Sequence, residues 1–354
     1  MDWLIGELLL FGKYYIFMGY GGDAMHFYCE KCKKEYPMDT LAYKCACGGL
    51  FRLFKRLDEV VQTKVSLGEV RTPLLPICVE KIDFLLKMEH LQPTGSFKDR
   101  GAFMLINELK NLGVEKIVED SAGNAAAAIA AYAAAAAIDC LIYLPAKTSP
   151  AKIRQIESTG ASIKKIRGNR DKTAQQAQLA AKERYYASHV YNPLFFEGMK
   201  SMAQEIYEQL GHRVPEYIFM PVGNGTMLLG LYYGFAEIGR LPKLIAVQSS
   251  ACQPLCRALH NSEEAASSET IAESIRVGNP ARLNEMLQAI QNSQGDAIAV
   301  TDEEIMEAAN ILGKRGIYTE ISSAAALAGA KKFFKDGKPD NYKVVIPLTG
   351  NGLK

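Results

Sequence analysis

Lys98 stands in the segment HLQPTGSFKDRG, residues 90–101, behind a proline turn and a short hydroxyl run and at the start of a helical stretch. A solvated lysine gains nothing there, because a cation in the first turn of a helix opposes the helix dipole. Such a placement suits work done by the amine itself, and Lys98 reads as a cofactor lysine. Asp99 beside it is expected to cap the turn or to pair with Arg100. Three glycine-bearing loops follow along the chain: SAGNAAAA at 121–128, PVGNGTMLLG at 221–230 and PLTGNGLK at 347–354. Each comes after a short apolar run, and the first two open helical stretches. Loops of this kind present backbone N–H groups to an anion such as phosphate. The second is no P-loop, since no Gly-Lys-Ser/Thr follows, and none has the full G-x-G-x-x-G dinucleotide fingerprint.

A second constellation precedes them. Cys29, Cys32, Cys45 and Cys47 fall within 19 positions, whereas Cys78, Cys140, Cys252 and Cys256 are dispersed. Thiolates so spaced can converge on one Zn2+ at ~2.3 Å per Zn–S bond, and four protein ligands leave no open position for catalysis. The second pair has one intervening residue instead of the usual two, so four reduced cysteines around a vestigial site are the alternative. The five histidines are scattered and none sits in a motif; His26 is the one near the thiols. Clustered thiols without a clear secretion signal fit a metal site in a reducing, cytoplasmic compartment.

Regular alternation of apolar strands and helical stretches from about residue 66 would carry these groups. KIVED (116–120), CLIYLP (140–145), EYIFMP (216–221), KLIAVQ (243–248) and KVVIPL (343–348) have the length and content of buried parallel strands. Helical patterns cover 98–111, 124–137, 150–159, 171–184, 197–210, 226–238, 302–313 and 323–334. The fold class is therefore α/β, with helices on both faces of an open sheet, and ligands belong beyond the carboxyl ends of its strands. A chain of 354 residues with 48% apolar and 23% charged residues suits two lobes and a small appendage. Net charge +2 and one tryptophan give no case for nucleic acid or an acidic membrane surface. Residues 1–24 are apolar but broken by Glu7 and Lys13, too short and interrupted for a span of ~20 apolar residues. Asp2 precedes that run where a signal peptide wants basic residues. The expectation is a disordered segment or a misassigned start, with Met25 the natural beginning.

The ordered blocks S-F-K-D, S-A-G-N, V-G-N-G-T and P-L-T-G resemble the fold type II pyridoxal-phosphate enzymes, the tryptophan synthase β group. PTGSFKDRGA, ETIAESIRVGNPAR (269–282), EISSAAALAG (320–329), the terminal PLTGNGLK and the cysteine-bearing segment are similar to threonine synthases within that group. The resemblance runs from about residue 27 to the end. It implies two open, twisted, mainly parallel sheets with flanking helices and a small cysteine-rich knuckle at residues 25–58. The large cofactor-binding domain would comprise 59–105 and 195–354, and the small domain 106–194. Lys98 would hold pyridoxal 5'-phosphate as a Schiff base and, once released, serve as general base at Cα. Asn124 would bond the cofactor ring oxygen, Gly223, Asn224, Gly225 and Thr226 would cradle its phosphate, and Thr349 would face the pyridine nitrogen. Ser96 and the loop Ser121, Ala122, Gly123 and Asn124 would meet the substrate. Ser121, Asn124 and Thr349 have plain alternatives as helix caps or turn residues. Members of the group are commonly homodimers acting on small amino acids.

The resemblance leaves the reaction open. Threonine synthases convert O-phosphohomoserine and need a second anion pocket. Many have a second hydroxyl where this chain has Ala122, and an arginine where NPLFFEGMK (192–200) has Phe195. Lys152, Arg154, Lys200 or Ser96 would have to compensate. The reading is threonine synthesis with release of phosphate. The alternatives are elimination from serine or threonine, as in dehydratases, replacement on phosphoserine, as in cysteate-forming relatives, and a non-catalytic binding protein.

Overall fold

Short, cysteine-bounded stretches at the start of the chain cannot bury much on their own and pair as a three-stranded antiparallel unit. It consists of β1 (His26–Cys29), β2 (Glu35–Tyr36) and β3 (Phe51–Phe54), in the order β2-β1-β3. The computed structural model describes residues 25–56, 59–148, 150–168, 170–262, 268–337 and 342–354. The expectation about residues 1–24 lies outside them. Phe27 and Phe51 turn inward and stack with ring centroids 6.0 Å apart.

The remainder alternates as its patterning requires. β4 (Leu74–Val79) and β5 (Ile82–Lys87) lead into α1 (Lys98–Asn111), β6 (Lys116–Glu119), α2 (Asn124–Ala135) and β7 (Asp139–Pro145). α3 (Pro150–Glu157), β8 (Ser162–Ile166), α4 (Arg170–Ala180) and β9 (Tyr185–Tyr186) complete that half. α5 (Pro193–Gln209), β10 (Tyr217–Pro221), α6 (Thr226–Ile238), β11 (Lys243–Ser249), α7 (Pro254–His260) and α8 (Leu283–Asn292) come next. β12 (Asp296–Val300), α9 (Asp302–Gly313), α10 (Ile321–Phe333) and β13 (Val344–Pro347) close the chain. β4, β5, β8, β9, β12, α7 and α8 are additional to the elements the pattern predicts. α5 also starts at Pro193 instead of 197, because proline's fixed φ suits a first helical turn and the Asn192 side chain caps it by accepting from Leu194 N at 3.0 Å.

Two sheets result. One has the order β12-β11-β10-β13-β5-β4, parallel except for the antiparallel β4–β5 hairpin at its edge. The other has the order β8-β7-β6-β9 and is parallel throughout. Every residue of β10 is buried, as a strand covered on both faces must be. In α2, Ala125 to Ala130 are buried and Tyr132 is enclosed, its hydroxyl donating to Glu69 at 2.6 Å. α1 and α5 approach so closely that a Cβ on Gly198 would lie 2.1 Å from the Arg100 carbonyl. The three-stranded unit docks through Arg52–Glu285 at 3.1 Å and through Arg282, which donates to Phe51 O at 3.3 Å. Among the described residues no helix is long and apolar enough to cross a membrane.

Candidate active site

The carboxyl ends of β5, β6, β10 and β13 deliver the four chemistry-bearing segments to one region. Backbone bonds stitch three of the chain's late residues to the lysine turn: Phe97 N donates to Thr349 O at 3.1 Å, and Asn351 N to Gly95 O at 2.9 Å. Ser96 and Gly350 form an antiparallel bridge. The first turn of α1 is anchored from below. Arg100 is clasped by Glu89 at 2.6 Å and Glu205 at 2.7 Å, and Glu205 also holds the buried Lys87 at 2.5 Å. Arg100 thus turns away from Asp99. That carboxylate instead accepts from Thr94 N at 2.6 Å and from the Thr94 hydroxyl, and burial lifts its pKa to about 6.

Lys98 is the first residue of α1, and its Nζ donates to Thr226 Oγ1 at 2.6 Å. This contact joins the lysine motif to the glycine loop across the sequence. Nζ also lies 4.6 Å from the Phe97 ring centroid and 5.6 Å from that of Phe195. Burial is the main reason its pKa falls from 10.5 to about 7. The Arg170 charge pushes the same way and the Glu119 carboxylate opposes. Half of the amine is then uncharged near neutrality, the form that attacks a carbonyl.

The glycine loop runs from β10 into α6. Gly225 has φ +79, and a Cβ on it would lie 2.1 Å from Met286 Sδ. A Cβ on Gly223 would lie 3.1 Å from Ile275 Cα. No side chain caps the start of α6, so its first N–H groups have no side-chain partner from the cap and suit a phosphate. Thr349 is buried, bonded through Oγ1 to Ser323 Oγ at 2.8 Å. The same serine oxygen accepts from Thr349 N at 3.1 Å and Gly350 N at 3.0 Å. Ser96 Oγ is fully buried without a partner among the described residues. Ser121 accepts from Gly123 N at 3.2 Å, shaping the turn through Ala122 into α2. Asn124 opens α2, its amide nitrogen 3.0 Å from both Glu320 oxygens and its amide oxygen 2.9 Å from Lys354 Nζ. A poised amine, an uncapped helix start and the buried Thr349 hydroxyl match the aldehyde, phosphate and ring nitrogen of pyridoxal phosphate, and the orphaned Ser96 hydroxyl remains for a substrate.

Other charged groups here escaped the sequence reading. Glu119, at the end of β6, bonds His189 Nδ1 at 2.6 Å, and its second oxygen is buried without a partner among the described residues. Burial drives that carboxyl well up and that imidazole well down, so the pair carries no net charge. Glu320 and Lys354 were likewise unmarked; the blocks EISSAAALAG and PLTGNGLK contain them, but no spacing rule singles them out. Of the cations invoked to replace the missing arginine, Lys200 is held by Glu197 and Glu237, each at 2.5 Å. Arg154 is exposed, and the Lys152 side chain lies outside the described structure. Phe195 packs on Gly101, where a Cβ would come within 2.4 Å of its ring.

The thiols converge separately. Sγ of Cys29, Cys32, Cys45 and Cys47 all lie within 4.8 Å of one another, with Cys29–Cys47 and Cys32–Cys45 at 3.5 Å. That spread fits a tetrahedral metal with S ligands. His26 is not part of the cluster; it stacks on Phe54 and faces Glu35 at 3.7 Å.

The model of the pyridoxal-phosphate dependent enzyme family matches residues 65–350. A protein named threonine synthase from Methanocaldococcus jannaschii is 34% identical over 373 aligned positions, covering 92% of each chain. One from Methanosarcina acetivorans is 33% identical, covering 93% of this chain and 91% of its own. Among solved structures, the processed threonine deaminase isoform 2 of Solanum lycopersicum superposes with TM-score 0.70 at 23% identity, covering 80% of each chain. A serine racemase of Dictyostelium discoideum gives TM-score 0.69 at 25% identity, covering 81% of this chain and 94% of that one.

Proposed function

The chain belongs to the pyridoxal-phosphate dependent enzymes, in the threonine synthase family, and we propose that it converts O-phospho-L-homoserine and water to L-threonine and phosphate. The observation that carries the chemistry is the Lys98 amine, brought to a pKa of about 7 and bonded at 2.6 Å to the threonine of the glycine loop. The identity shared with proteins named threonine synthase over nine-tenths of both chains supports the substrate.

When bound, pyridoxal phosphate withdraws electrons from the α-carbon of an attached amino acid and so acidifies its proton. The chain's own groups would do the rest. Lys98 would hold the cofactor and, when free, take the proton from Cα, since an amine with a pKa near 7 is both available as a base and able to return the proton. Thr226 would orient that amine, while N–H groups of 223–226 would bind the cofactor phosphate. Thr349, fixed by Ser323, would face the ring nitrogen with a hydroxyl, a weaker partner than a carboxylate. Asn124 would bond the ring oxygen, and Ser96, Ser121 and the backbone through Ala122 and Gly123 would receive the substrate.

A second reading, elimination from serine or threonine to a keto acid and ammonia, draws on Phe195 and on the capture of Lys200 by two carboxylates. Both weaken a pocket for substrate phosphate. Replacement on O-phosphoserine is the third. Purified holoenzyme given O-phosphohomoserine separates them: phosphate and threonine released together support the proposal. Keto acid from threonine, with no turnover of phosphohomoserine, refutes it. We further propose one structural Zn2+ on the four thiols, a homodimer in a reducing compartment, and a division of the chain into lobes at 59–105 plus 195–354 and 106–194. Metal analysis, sizing and limited proteolysis test these in turn.

A further inference from the structure

Asn124 is bracketed by groups of opposite polarity. Lys354 Nζ donates to its amide oxygen over 2.9 Å, and its amide nitrogen faces both Glu320 oxygens at 3.0 Å. The lysine stem reaches this position by passing over Gly95. A Cβ there would come within 2.9 Å of Lys354 Cε, and the backbone has φ +81, so a glycine keeps the lane open. Glu320 is itself fixed, its backbone N donating to Gly350 O at 2.9 Å. An ammonium only donates and a carboxylate only accepts. Rotating the amide by half a turn would set NH2 against the ammonium and oxygen against the carboxylate. The two charges together therefore select one amide orientation.

We infer that Lys354 is a positioning residue that, with Glu320, fixes the polarity of the Asn124 amide, so that its NH2 is offered to an anionic acceptor oxygen. The inference rests on the reading above, in which that acceptor is the ring oxygen of pyridoxal phosphate. It adds two residues that neither touch the reacting carbon nor belong to the lysine motif.

The test is titration of apoprotein with pyridoxal phosphate, following the absorbance band of the bound cofactor and its affinity, for wild type, Asn124→Ala, Lys354→Met, Lys354→Arg and Glu320→Gln. Loss of a charge-assisted bond corresponds to about tenfold weaker binding or more. Asn124→Ala and Lys354→Met should show that loss and a displaced band, and Lys354→Arg, still a donor-only cation, should restore the band. If Asn124→Ala keeps the wild-type band and affinity, the assignment of Asn124 is wrong and the clamp goes with it. If Asn124→Ala departs while Lys354→Met matches wild type, the clamp alone is overturned. Should Lys354→Met fail to fold, Glu320→Gln decides: glutamine both donates and accepts, so the band should shift, and an unchanged band refutes the inference.

Discussion

Replacing Lys98 by methionine shortens the side chain by one atom, keeps it unbranched and removes its charge. The lysine's pKa falls from 10.5 to about 7 on burial, which corresponds to about 5 kcal/mol of unfavourable interaction with the protonated amine, an upper figure for a half-buried residue. The sign follows from proton counting. Between pH 7 and 10.5 the unfolded chain holds a proton on this amine that the folded chain has lost, so stability from this group rises with pH across that window. Below pH 7 both states are protonated and the full penalty applies. Urea unfolding of the two apoproteins from pH 6 to 9 is the assay. At pH 6 Lys98→Met should be more stable than wild type by about 2–5 kcal/mol, and the gap should shrink by about 1.4 kcal/mol per pH unit above 7. A gap that stays constant over this range would mean that the amine titrates normally, and the argument for a poised Lys98 would be lost.

Gly225→Ala should destabilise by about 1–3 kcal/mol, from left-handed strain and overlap with Met286; an unchanged melting midpoint would contradict the close packing. Thr226→Val should lower kcat/KM about 10- to 100-fold, the worth of one hydrogen bond to a charged group, and a wild-type value would remove Thr226 from the site. Arg100→Met removes the only cation paired with the buried Glu89 among the described residues and leaves Glu205 with Lys87 alone, and should cost about 3–5 kcal/mol in urea unfolding; a loss under 1 kcal/mol would show the network to be dispensable. Stripping metal with a chelator should release about one Zn2+ per chain and loosen the three-stranded unit first, read as early protease cleavage there. Cleavage that is indifferent to the chelator would argue for four plain thiols.

The parallel strands and most helices were legible because each is a run of buried apolar residues or a 3.6-residue pattern. β6, β10, β11 and β13 lie within a residue of the segments expected for them. The β4–β5 hairpin was not. Its two-residue turn is Glu80–Lys81, with φ of 51° and 68°, where the pattern worth trusting in a sequence is Asn-Gly or Asp-Gly. Short β8 and β9 borrow their order from β7 and β6, which no local window contains. In the site, Lys98 and the glycine loops were readable because each needs a particular residue type at a particular place. The Glu119–His189 pair was not, since its members are 70 positions apart and nothing local in either segment calls for the other. Arg100 escaped for the opposite reason: adjacency to Asp99 suggested a partner that the helix geometry turns aside.

The bonds from Phe97 to Thr349 and from Gly95 to Asn351 also set a timetable. During translation the lysine turn emerges about 250 residues before the segment that secures it, a wait of roughly 10–50 s at ordinary elongation rates. Until then this half of the pocket has no backing, and a growing polypeptide displays no finished amine trap to the aldehydes of the cell. The lysine turn is thus backed only once residues 349–351 have been made and have folded back onto it.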